Sequence, residues 1–145
     1  MLQKVQTFVD HRNRAYSISF NADISATIAA DNQLILHLIS DPEHHKMLLK
    51  KPLEEGAEIN NNSLVAVYKV EKQKASDQVQ IYAAVSHGFG FKVWHLQLDQ
   101  RGETVQTGPT EVLDVPIAHN SEIITLMQFA RIQGEGYLTT GAGLD

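Results

Sequence analysis

The sequence predicts an all-β chain folded as a single-domain antiparallel β-sandwich, with a small β-barrel as the competitor and room for one short helix. Three observations carry that prediction. Apolar and polar residues alternate with a period of two between positions 16 and 30; about seven runs of strand length are separated by Asn-, Asp-, Gly- and Pro-containing turns; and 145 residues suffice for one hydrophobic core but not two. Residues 1–145 therefore read as one β domain.

In the alternating run, Tyr16, Ile18, Phe20, Ala22, Ile24, Ala26, Ile28 and Ala30 occupy the even positions, while most odd positions are Ser, Asn, Asp or Thr. One face is expected to meet a core and the other water. The run exceeds the usual five or six residues of a strand, so either a bend or bulge near 21–23 or a strand shared by two sheets is expected. Asp31, Asn32 and Gln33 form a turn, and the apolar run 34–39 completes a hairpin. Asp41-Pro42-Glu43 has helix-start chemistry and Pro52 would stop that helix. A strand through Met47, Leu48 and Leu49 fits the same residues, and 42–51 stays open between helix and strand.

After the polar loop at 60–63, residues 64–70 read as a strand. The charged stretch 71–78 separates it from a second, 79–85. His87-Gly88-Phe89-Gly90 then turns the chain into 91–98, the two glycines allowing positive backbone angles at an exposed tip. This outgoing strand is apolar on both faces, Phe91 and Val93 on one and Trp94, Leu96 and Leu98 on the other, which places it centrally. Residues 103–107 and 111–115 are expected as short strands around Gly108-Pro109. Segment 121–133 carries Ile123, Leu126, Met127 and Ala130 on one helical face, but a doubly buried strand also accounts for Phe129 and Ile132, and strand is favoured. Residues 134–145 read as an irregular glycine-rich tail.

Twelve Lys and Arg against seventeen Asp and Glu give a formal charge of -5, which argues against nucleic acid as a partner because phosphate binding needs a concentrated basic surface. The absence of cysteine excludes disulfides, thiolate zinc sites and thiol nucleophiles. No apolar run approaches the roughly 20 residues of a membrane-spanning helix, and 1–10 lacks a signal-peptide core. A soluble protein is expected, cytoplasmic or released by a non-classical route.

Local catalytic motifs are missing. There is no Gly-x-Ser-x-Gly elbow, and Ser86 and His87 are adjacent in an extended segment that points their side chains apart. Gly134-Glu135-Gly136 and Gly141-Ala142-Gly143 come without a Walker lysine or a following helix. The seven histidines, among them His37, His44, His45, His87 and His95, show neither His-x-His nor His-Glu-x-x-His spacing, so no metal and no cofactor are expected. Carboxylates such as Asp99, Glu103 and Asp114 have no diagnostic spacing either. The chain reads as a non-enzymatic one, an enzyme with a spatially assembled site ranking third.

One constellation stands out: the tip bearing His87 and Phe89, next to strands carrying Tyr82, Phe91 and Trp94. Aromatic side chains suit sugar faces, lipid interfaces and protein contacts. These five are the expected ligand or membrane contacts, with Phe89 first because a glycine turn offers it no packing partner, and with core packing the competing role for Trp94. In size, acidity and all-β character the chain is similar to small β-sandwich proteins of the aegerolysin type. That resemblance implies recognition of membrane lipids and action beside a larger pore-forming partner. Trp94 is the only tryptophan, so no tryptophan-rich signature aligns and no residue roles are carried over. The expected function is a module that binds a membrane surface, glycan or larger protein partner, as one component of a toxin or attachment system. The alternative is a structural or assembly protein, and homo-oligomerisation is left open.

Overall fold

The structure, a computed structural model, describes residues 10–41, 44–53, 59–70, 79–99 and 109–143. Among these residues the chain is all-β, with ten strands and no helix. They are β1 (Ala15–Asn21), β2 (Ile24–Ala29), β3 (Gln33–Asp41), β4 (His44–Pro52), β5 (Val65–Val70), β6 (Val79–His87), β7 (Gly90–Leu98), β8 (Thr110–Val115), β9 (Ile124–Ile132) and β10 (Glu135–Ala142). Two meanders, β1-β2-β3-β4 and β5-β6-β7-β8, form four-stranded antiparallel sheets, and β9 and β10 form a separate hairpin. Among the described residues no sheet closes on itself, which speaks against the barrel.

Alternation explains the layers. From the first meander Ile24, Ala26, Ile28, Leu34 and Leu36 point inward, and from the second Val65, Val67, Ile81, Ala83, Val85, Trp94, Leu96 and Leu98 meet them in one buried cluster. The opposite face of the second sheet, through Ala66, Ala84, Phe91 and Val93, packs against Ile124 and Met127 of the hairpin. The second sheet is thus the middle of three layers. Its central strands are apolar on both faces, as predicted for 91–98, because two cores share them.

Several expectations change. The run 16–30 is two strands, β1 and β2, joined by a two-residue turn at Ala22 and Asp23, with Ala22 in the left-handed region at φ 52°. Side-chain orientation in β1 also differs from the amphipathic reading. Ile18 and Phe20 are exposed, while polar Ser17, Ser19 and Asn21 turn toward the neighbouring sheet. There the Ser17 and Ser19 hydroxyls and the Asn21 side-chain carbonyl accept the backbone N–H groups of Val65, Val67 and Lys69 at 3.0–3.2 Å. The polar positions close the edge of β5, a demand that backbone hydrogen bonding makes and hydrophobic periodicity does not register.

Within the open segment 42–51, residues from His44 onward lie in strand β4, and within 121–133 Ile124–Ile132 form β9, a strand but not one buried on both faces, since Leu126 and Ile132 are exposed. The supposed tail 134–145 is largely strand β10: Gln133 and Gly134 both take positive φ, forming the two-residue turn of a tight hairpin, and the chain returns along β9 from Glu135. Gly136 serves packing, since a Cβ there would press on the Tyr68 ring, which itself stacks on Phe129 at 5.6 Å. The expected strand 103–107 and the charged stretch 71–78 lie outside the described residues.

Candidate functional site

The strand directions bring several loops to one end of the second sheet. β5 starts there, β6 ends and β7 starts there, β8 ends there, and the hairpin both begins and finishes there. The β6–β7 turn consists of Gly88 and Phe89, with Gly88 at φ 62° in the first central position, where a type II′ turn requires glycine. Phe89 follows it and is 44% exposed.

The connection between β8 and β9 packs against this tip. The Ala118 N–H donates to the Phe89 carbonyl at 3.0 Å, and a Cβ at Gly90 would overlap the backbone carbonyls of Val115 and Pro116. The same connection is fastened to β10 by His119 Nε2 and Thr140 Oγ1 at 2.9 Å, and internally by the Glu122 N–H to the His119 carbonyl at 2.8 Å. Asn120 and Ser121 both sit at positive φ, a costly backbone for two consecutive non-glycine residues and one that concentrates at functional sites. This fastened connection exposes Ile117 at 59% and Ile123 at 45%. Beside Ile123 opens a cleft of about 680 Å³, lined by apolar Leu64 and Ile124 and by polar Asn61, Asn62, Glu122 and Thr125.

The five sequence-derived contact residues separate. Phe89 is exposed at the tip, and His87 is partly exposed with Nε2 3.9 Å from the Asp114 carboxylate. Tyr82 is half-buried, its ring 4.8 Å from that of His95. Phe91 and Trp94 are core residues, 8% and 6% exposed, and are corrected from surface contacts to packing residues. They belong to opposite cores because adjacent strand faces are both covered. Ser86 and His87 do diverge: the buried Ser86 hydroxyl accepts the Leu64 N–H at 2.7 Å. Ile117 was not singled out from the sequence, and Ile123 was placed only on a possible helical face, not among the surface contacts. Their only signal was an apolar residue in each half of an otherwise polar connection.

A second cluster lies on the outer face of the first sheet. His37 of β3 and His45 of β4 are diagonal neighbours across the pairing of Ile39 with His45, and their rings stand edge to face at 5.5 Å. Asp10 reaches over from the segment preceding β1, placing Oδ2 2.7 Å from Nε2 of the buried His37. The next residues hold it there. His11 bonds Thr27 Oγ1 at 2.7 Å and Asp31 Oδ1 at 3.1 Å, and the Arg12 N–H donates to Asp31 Oδ2 at 2.9 Å. Burial would raise the Asp31 pKa, but these hydrogen bonds from Arg12 and His11 outweigh it and hold the carboxyl below its ordinary range. Burial likewise pushes the His37 imidazole below the usual histidine range, against the opposing pull of Asp10. One donor atom from each of Asp10, His37 and His45 lies within 4.8 Å of the other two.

The chain matches no protein-family model, and no curated protein matches it in sequence.

Proposed function

We propose that this protein is a non-enzymatic module that binds a membrane surface through the loop end of its middle sheet. The observation supporting this reading is the grouping of Phe89, Ile117 and Ile123, three exposed apolar side chains carried on fastened loops at one end. Single exposed apolar residues are ordinary; three on the connections at one end form a surface suited to shallow burial in the headgroup region.

Chemistry favours lipid over glycan. Sugar platforms use the open faces of Trp and Tyr, and here Trp94 is buried and Tyr82 is covered by His95. The formal charge of -5 gives little attraction to anionic lipid, so the surface recognised is zwitterionic. The three side chains are about half-exposed, so burying what remains would contribute roughly 2–5 kcal/mol before the cost of association, appropriate to a weak, reversible peripheral contact.

Flotation with phosphatidylcholine–sphingomyelin vesicles tests the reading. The full chain should float with the vesicles, with little dependence on salt, and Phe89→Ala should weaken partitioning about tenfold or more, the equivalent of one lost aromatic burial. Replacing Phe89, Ile117 and Ile123 together by Ser should abolish it. Absence of flotation, or flotation unchanged in that triple variant, would refute the role. A concentration-dependent dimer lost on replacing Val112 in the exposed β8 edge would instead move the function to self-assembly.

A further inference from the structure

We infer that Asp10, His37 and His45 form a binding site for one divalent transition-metal ion of the zinc class, clamping the segment before β1 onto the first sheet. The three donors come from three separate parts of the chain: the segment at residue 10, β3 and β4. Two imidazoles and one carboxylate are a recurrent ligand set for zinc and its first-row neighbours, which leaves a fourth position for water.

Geometry carries the inference. Tetrahedral zinc with bonds near 2.0–2.1 Å sets its donors about 3.3 Å apart, and the donor atoms already converge within 4.8 Å of one another. Reaching that spacing takes adjustments of the order of 1 Å, and exposed His45 and partly exposed Asp10 are the members placed to make them. His37 is the fixed member, 1% exposed, with Nε2 directed at Asp10. On binding, the ion replaces the hydrogen bond between His37 Nε2 and Asp10 Oδ2, and the neutral imidazole carries its single proton on Nδ1.

The surroundings favour a ligand set beyond a plain Asp–His pair. An isolated pair would need no third group, yet His45 stands with its ring edge to face against His37 on the same sheet face. The neighbouring His11–Thr27–Asp31 bonds and the Arg12 N–H to Asp31 bond orient the chain that presents Asp10. Sequence spacing conceals the site because residue 10 meets 37 and 45 only through sheet formation.

The test is titration of the purified, chelator-stripped full chain with Zn²⁺ and with Co²⁺, whose d–d absorption reports its coordination. One ion per chain is expected, with Co²⁺ absorption of a four- or five-coordinate site and a rise in thermal stability. Asp10→Asn and His45→Ala each should weaken binding at least about tenfold, since even outer-shell partners contribute about 10–100-fold. Both positions are partly or fully exposed, so the variants should keep the wild-type circular dichroism spectrum. His87→Ala, at the loop end, should bind as the wild type does. Failure to bind stoichiometrically, or equal affinity in wild type, Asp10→Asn and His45→Ala, would overturn the site, as would an equal loss in His87→Ala.

Discussion

Gly90 and Ala22 occupy tight places in the chain for opposite reasons. Gly90 lets the Val115–Pro116 backbone pass where a side chain would stand, and that approach sets the position of Phe89 relative to Ile117. Ala22 carries a methyl in the left-handed region, where an L-residue is strained by about 1 kcal/mol. Urea unfolding should therefore separate them in sign. Gly90→Ala should destabilise by about 1–3 kcal/mol through overpacking against carbonyls. Ala22→Gly should stabilise by roughly 0.5 kcal/mol, the relieved strain less the added freedom of the unfolded chain. The glycine turn at 87–90 was legible because glycine marks positive φ. The close approach at Gly90 was not, since Val115 and Pro116 lie 25 residues or more away.

β1 shows how strand character can be read from the sequence while the extent of the strand and the direction of its side chains are not. Alternation marked 16–30 as strand, but where a bend or bulge in one long strand was expected near 21–23 the chain reverses at Ala22 and Asp23 into two paired strands. Polar residues were expected to face water because water is the usual partner for hydroxyls. Here the unpaired N–H groups of β5 are the stronger claim on Ser17 and Ser19. A Ser17→Ala, Ser19→Ala double variant should cost about 2–4 kcal/mol, two donors near buried Val65 and Val67 losing their acceptors. Faster hydrogen exchange at those two amides is the measurement specific to the cause; unchanged exchange there would show that the hydroxyls are dispensable.

At the scale of the whole molecule, β5, β6 and β7 are shared by a larger core toward the first sheet and a smaller one toward the hairpin. Fewer buried side chains hold the hairpin, so it should be the less stable layer. Ile124→Ala removes a fully buried side chain from the smaller core and should cost about 2–5 kcal/mol. Amides of β9 and β10 should then exchange well before those of β2 and β6. Uniform acceleration through all three layers would instead make the molecule one cooperative unit.

The sequence by itself determined the all-β class, the central place of 91–98, the tip at 87–90 and the absence of any local catalytic motif, because hydrophobic period, turn residues and motif spacing are short-range signals. Helix start chemistry at Asp41 and glycine content after 134 were short-range signals too, yet pairing with β3 and β9 overrode them. Only the tertiary structure decided that Trp94 and Phe91 belong to two cores, that Ile117 joins Phe89 at one end, and that Asp10 meets His37 and His45. Each depends on which strands become neighbours, and that choice is made by burying surface and pairing backbone across the whole chain.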